Sequence, residues 1–336
     1  MKFRFDATRR VALRFHVGPR VAKAVGAALG AVLAGALLAS CGGGEQVSKF
    51  SPTRVIVFGD ETSVIDNDGS KYTVNALATG STALDCVANP IWVQDLATAY
   101  RLAFPQCPGT NSAPNGLIFA TPGAKAADVA VQVDQQVTAG GFGSRDLVTV
   151  LVGANDVLEQ YAQYPSVGVE QLKTQLRSSG AALATQVNRI GNLGGKVLVS
   201  NVPDVGVTPY ALAQKAAFSD TDRAALLTAL TAAFNEGMRS NLINDGRMIG
   251  LLLSDELIDA ISKNPGGNGY ANVTLAACSV ALPACNANTL IPDPNSTSGA
   301  TASATTWLWA DDLHLSAGGH KNLGSIAITR AGNNPF

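Results

Sequence analysis

Four short aliphatic runs decide what this chain can fold into: residues 53–59 (TRVIVFG), 146–153 (DLVTVLVG), 196–201 (KVLVSN) and 248–253 (MIGLLL). A strand with one wet face alternates apolar and polar side chains. These runs do not alternate, so both faces of each must be covered. Helical spacing occupies residues 91–103, 171–190 and 222–244 between them, and residues 316–331 close the chain as a helix with Ser316 as its N-cap. Strand alternating with helix, each strand almost wholly apolar, predicts a three-layer α/β/α sandwich around a parallel sheet of about five strands, flavodoxin-like in order. In such sheets chemistry collects at the carboxyl ends of the strands. Residues 69–89 and 107–115 read as irregular. Residues 262–306, rich in Asn, Pro, Ser, Thr and Ala, read as one long loop.

The first forty residues stand apart from this pattern. Seven of the chain's 24 basic residues and one of its 25 acids fall in residues 1–23, and an uncharged Ala/Leu/Val/Gly-rich run follows over residues 24–40. The run is too short and too glycine-rich for a comfortable membrane span, and with its basic start it reads as a signal peptide. It closes on Leu38-Ala39-Ser40-Cys41, which resembles the bacterial lipoprotein signal, and Thr8-Arg9-Arg10 is loosely like a twin-arginine signal. The lipoprotein resemblance implies acylation of Cys41, and Gly42 after it implies the outer membrane rather than inner-membrane retention. The alternative is an ordinary cleaved signal with a chance cysteine. Residues 42–53 then form a Gly/Ser tether, and residues 54–336 form the single folded domain, with no repeat and no second domain. About 295 residues are enough for one large core. They carry a net charge of about −7, which argues against a nucleic-acid partner.

The remaining cysteines, Cys86, Cys107, Cys278 and Cys285, are even in number, as an oxidising compartment allows. Of three connectivities, Cys86–Cys107 and Cys278–Cys285 are favoured because each closes a short loop. A metal site is the rival, but the ligand spacing and histidine help it needs are not offered. No metal or organic cofactor is expected.

Histidine is the most economical guide to chemistry. Only His314 and His320 follow the leader, since His16 lies within it. His320 falls inside the last helix and reads as a surface or packing residue. His314 sits in Asp311-Asp312-Leu313-His314, where Asp311 is close enough in a turn to accept the imidazole Nδ1–H and hold the imidazolium. Taken alone the pattern is weak. It is joined by Gly59-Asp60-Glu61-Thr62-Ser63 at the end of the first run, by Thr121-Pro122-Gly123-Ala124, and by Gly153-Ala154-Asn155-Asp156. A parallel sheet would present all of these at one edge. A glycine N–H and a side-chain amide aimed at one point make an oxyanion hole.

In this order and spacing the motifs resemble those of the SGNH, or GDSL-type, esterases and lipases, over residues 54–325. The resemblance implies that Gly123 and Asn155 are oxyanion donors, Asp311 the orienting acid and His314 the base. Trp92 with Leu96-Ala97, Asn201-Val202-Pro203-Asp204 and Asn272-Val273-Thr274 echo the same family. It implies hydrolysis of acyl or carbohydrate esters; separately, a monomer is expected, anchored in the cell envelope through Cys41 as the lipoprotein-like signal implies.

The chain departs from the family at the decisive position. The nucleophilic serine maps onto Glu61, which at neutral pH has no proton for His314 to remove. Four readings follow. The protein binds a ligand without turnover; Ser63 or Thr62 takes over as nucleophile, although Ser63 is expected to cap the following helix; Glu61 works as carboxylate nucleophile or general base with His314 as acid; or Glu61 is only a surface residue. The substrate lining is expected from residues 64–115 and 254–306.

Overall fold

Alternation of side chains across two covered faces makes each apolar run a strand. The computed structural model describes residues 49–110 and 112–336, so the leader and Cys41, with the expectations placed on them, lie outside the described residues. Strand β1 (Arg54–Gly59) sends Val55 and Val57 into one core and Ile56 and Phe58 into the other. An antiparallel ribbon of β2 (Ala76–Leu77) and β3 (Leu84–Asp85), helix α1 (Trp92–Ala99) and strand β4 (Gly116–Ile118) follow. Next come α2 (Val129–Thr138), β5 (Asp146–Leu151), α3 (Ala154–Tyr161), α4 (Val169–Asn192) and β6 (Lys196–Ser200). Helices α5 (Pro209–Ala217) and α6 (Arg223–Asn241), strand β7 (Ile249–Leu252) and helix α7 (Ser254–Lys263) complete the central layer. A parallel pair, β8 (Asn272–Ala276) with β9 (Trp307–Trp309), precedes the last helix, α8 (Ala317–Asn333).

The five long-range strands pair in parallel in the order β4-β1-β5-β6-β7. Counted along the chain this is 2-1-3-4-5, the flavodoxin-like order expected. One face carries α2, α3, α4 and α6 through Val133, Val157, Leu176 and Phe234, and the other carries α1, α7 and α8 through Trp92, Ile258 and Leu323. The strand order reverses between β1 and β5, and the crevice at their carboxyl ends is where the motif residues collect.

Several elements differ from the sequence expectation. Residues 262–306 are not one loop, because β8 lies within them and pairs with β9. Ser316 stands at the N-cap position of α8, but its hydroxyl donates to the Trp307 carbonyl instead of capping the helix. The cysteines pair as favoured, Cys86 with Cys107 and Cys278 with Cys285.

Residues 71–75 form a strap between these outer loops and the histidine segment. Lys71 is fully buried, and its ammonium donates to the carbonyls of Cys86, Ala88 and Asn89 at 2.9, 3.0 and 2.9 Å. The Thr73 hydroxyl donates to the Leu315 carbonyl at 3.0 Å, and the Asn75 amide donates to the Pro283 carbonyl at 2.8 Å. Each buried polar group is thereby satisfied by a different loop, as burial demands.

Candidate active site

Glu61 follows β1 directly, at the start of a single 3-10 turn, Glu61–Ser63. Gly59 makes that exit possible: its φ is +133°, and a Cβ there would lie 1.9 Å from the Leu151 carbonyl oxygen. Both ends of the Gln132 amide clamp this glycine, accepting its N–H at 2.8 Å and donating to its carbonyl at 2.9 Å. Gln132 is a functional support that the sequence reading missed. Its signal was a polar residue on the buried face of a helix.

The Glu61 carboxylate is the meeting point of the other motifs. The Gly123 N–H donates to Oε2 at 2.7 Å, the Asn155 amide donates to both oxygens at 3.2 Å, and His314 Nε2 lies 3.1 Å from Oε1. Gly123 turns its N–H inward from a left-handed φ of +76°. Asn155 sits in the first turn of α3, with its amide also donating to the Ala124 carbonyl at 3.1 Å. Asp156 beside it accepts the Ala126 N–H at 2.9 Å, which ties the glycine loop to α3.

Asp311 folds its own turn around the histidine. Its Oδ1 accepts the backbone N–H groups of Leu313 and His314 at 2.9 and 2.7 Å, and Oδ2 lies 2.8 Å from His314 Nδ1. Burial opposes a charge on His314, but the hydrogen bonds to Asp311 and Glu61 prevail and lift its pKa to about 10. The ring is an imidazolium at neutral pH, donating from both nitrogens. Burial pushes Glu61 up as well, yet its bonds from His314 and Gly123 hold it below the usual carboxylate range, and Asp311 is held low by His314 against its own burial. Asp60 behaves oppositely. Buried and next to the Glu61 charge, it is raised to about 8 and is neutral at pH 7, with one oxygen accepting the Thr62 N–H at 3.0 Å. The site thus holds carboxylate, imidazolium, carboxylate in line.

The remaining candidates separate. Ser63 is fully buried and its hydroxyl accepts the Trp92 indole N–H at 3.1 Å; it does not cap a helix and makes no hydrogen bond to His314. Thr62 lines the mouth of the pocket beside Glu61. His320 is a packing residue, fully buried, and burial followed by the charges of Lys71 and His314 drives it down to about 3. Asn201 joins β6 to α7, accepting from the Ser254 hydroxyl and the Asp255 N–H. Glu61 is not a free surface residue.

The pocket beside the triad also departs from expectation. It is lined from Leu151 to Leu158, from Pro203 to Thr208 and from Trp309 to Leu315, not by residues 64–115 and 254–306. The segments after β5, β6 and β9 supply these walls, and they are the ones that carry the motifs around Asn155, Pro203-Asp204 and His314.

A three-layer α/β/α fold brings a carboxylate, an imidazole, a glycine N–H and a side-chain amide together at the carboxyl edge of its sheet. The chain belongs to the family described as GDSL-like Lipase/Acylhydrolase, which matches residues 55–326. Members of that family are ester-hydrolysing enzymes. No curated protein matches the chain. Among solved structures it is similar to a variant of Axe2, an acetyl-xylooligosaccharide esterase from Geobacillus stearothermophilus, at 14% identity and a TM-score of 0.45, covering 84% of this chain and 96% of that one. It is also similar to a putative GDSL-like lipase from Parabacteroides merdae, at 14% identity and a TM-score of 0.42, covering 84% and 97%. A member of the lipolytic protein G-D-S-L family from Veillonella parvula gives 11% identity and a TM-score of 0.39, covering 82% and 96%.

Proposed function

We propose that the protein is a cell-envelope ester hydrolase, anchored through Cys41, in which Glu61 and His314 work as base and acid in place of a serine and its histidine. The observation that carries this reading is the convergence of Gly123, Asn155 and His314 on one carboxylate. An imidazolium cannot activate a hydroxyl, but it can protonate a leaving group. In the reaction Glu61 takes a proton from water, and the resulting hydroxide attacks the ester carbonyl carbon. The Gly123 N–H and the Asn155 amide transfer their hydrogen bonds from Glu61 to the developing oxyanion. His314 gives its Nε2 proton to the departing alkoxide, and protonated Glu61 returns a proton to His314 across their 3.1 Å contact. Direct attack by the carboxylate through a mixed anhydride, with the alkoxide leaving on the His314 proton, is the variant of this scheme; oxygen from labelled water would enter Glu61 when the anhydride is opened at the glutamyl carbon and the product acid when it is opened at the acyl carbon.

A second reading has its own observation: in the substrate-free site every oxyanion donor already serves Glu61. Glutamate also places its carboxyl carbon as many bonds from Cα as the acyl carbon of an acylated serine. A side chain that imitates the acyl-enzyme fills the hole and leaves a protein that binds acyl or glycan ligands without turnover.

Hydrolysis of p-nitrophenyl esters by the chain from residue 42 onward separates the two. The hydrolase reading expects turnover that falls at least a hundredfold in Glu61→Gln, that falls in His314→Ala more for an alkyl ester than for a p-nitrophenyl ester whose leaving group needs no proton, and that is unchanged in Ser63→Ala. No turnover in the wild type, with activity appearing in Glu61→Ser, would establish the binder. The anchor is tested by fatty-acid labelling that Cys41→Ala abolishes.

A further inference from the structure

The pocket that opens beside Glu61 and His314 is dry-walled and small. Leu151, Ala154, Leu158, Val205, Trp309 and Leu313 enclose a cavity of about 100 Å³. Of its polar side chains beyond Glu61, Asn155 and His314, Thr62 stands at the mouth beside Glu61, and the other three are engaged elsewhere. The Thr208 hydroxyl donates to the Val205 carbonyl at 2.8 Å and accepts the Ala211 N–H at 3.2 Å. Both oxygens of Asp204 are taken, by the Gly206 N–H and the Thr228 hydroxyl, each at 2.8 Å. The Trp309 indole donates to the Val273 carbonyl at 3.0 Å. A hydroxylated or charged group lodged among the walls of Leu151, Leu158, Trp309 and Leu313, past Thr62 and away from Asp204, would lose its water and find no side-chain partner there, which disfavours it by roughly tenfold to a hundredfold.

We propose that this pocket is an acyl subsite for a short, unsubstituted aliphatic acyl group of about four carbons, and that Leu158 sets that length. The proposal rests on the ester reading of the site and adds the substrate class. An apolar cavity of roughly 150 Å³ admits the six carbons of benzene, so the space here suits about four. The helix gives an independent measure. Asn155, which would hold the carbonyl oxygen, and Leu158 are three residues apart in α3 and share one face. Leu158 therefore lies about 4.5 Å further along the helix axis, the reach of a three- to four-carbon chain. Leu158 is half-buried, so its replacement leaves the central core intact.

The test is a chain-length series on the full chain: p-nitrophenyl acetate, butyrate, hexanoate and octanoate with wild type, Leu158→Ala and Leu158→Phe. Wild type is expected to gain roughly fourfold in kcat/KM per added methylene up to butyrate, then to fall steeply at octanoate. Leu158→Ala should move the optimum two to three carbons longer, chiefly through KM, and Leu158→Phe should confine the enzyme to acetate. A wild-type profile that is flat, or that still rises at octanoate, overturns the subsite, and an unmoved optimum in both variants overturns the role of Leu158. Alkyl methyl ketones keep the question separate from catalysis. If wild type turns over no ester, the hydrolase reading falls. Ketone affinity, read by thermal shift, then decides the pocket: tightest binding at four carbons upholds it, and indifference to length overturns it.

Discussion

His314 is caught between two carboxylates, and its titration distinguishes this site from one built on serine. Its pKa in the folded chain, about 10, lies well above the unfolded value of about 6.5. The stability it contributes is therefore complete below about pH 6.5 and is lost as pH rises through about 10. Glu61 and Asp311, both held low, contribute stability above about pH 4 that is lost as pH falls through their folded values. Imidazole NMR shifts should show His314 protonated at pH 8, and Glu61→Gln should lower its midpoint by more than a unit. In the hydrolase, kcat/KM should stay level through neutrality and decline near pH 10, because the acid is then lost. A serine enzyme would instead gain activity as its histidine loses a proton near pH 7. Asp311 and His314 were legible because three residues of sequence fix their contact. Gly123 and Asn155 were legible through motif order. Gln132 and Leu158 were not, since their roles exist only once α2 and α3 are packed.

Among the elements, the strap of residues 71–75 governs how the outer loops meet the histidine segment. Replacing Lys71 by methionine keeps the hydrocarbon stem and removes the donors, leaving the carbonyls of Cys86, Ala88 and Asn89 unpartnered in a buried place. A loss of about 2–4 kcal/mol is expected from such a change. Denaturant titration measures it, and a change below about 0.5 kcal/mol would show that the loops hold themselves. The strap could not be read from the sequence, because a lysine, a threonine and an asparagine in a polar stretch look like surface. Strand β4 escaped for a different reason: Gly116, Leu117 and Ile118 are too few for periodicity to register. The other four strands of the five-stranded sheet were read correctly, since a strand buried on both faces shows no polar alternation.

At the scale of the whole molecule, the two disulfides staple loops outside the parallel sheet. Cys86 and Cys107 are 21 residues apart and Cys278 and Cys285 are 7 apart. Loop-closure entropy credits such bridges with about 3 and about 2.5 kcal/mol. Reduction should therefore lower the melting temperature by several degrees while far-ultraviolet circular dichroism at 25 °C retains the α/β signature. A loss of that signature on reduction would mean that the sheet depends on the staples. One feature of the turn after β1 reaches beyond stability. Reagents that reveal this class of enzyme in mixtures, the fluorophosphonates, form a bond with an accessible serine oxygen. Here the apex carries a carboxylate, and the nearby Ser63 is sealed beneath Trp92. Surveys of hydrolases by serine capture would pass over this protein whether or not it is active.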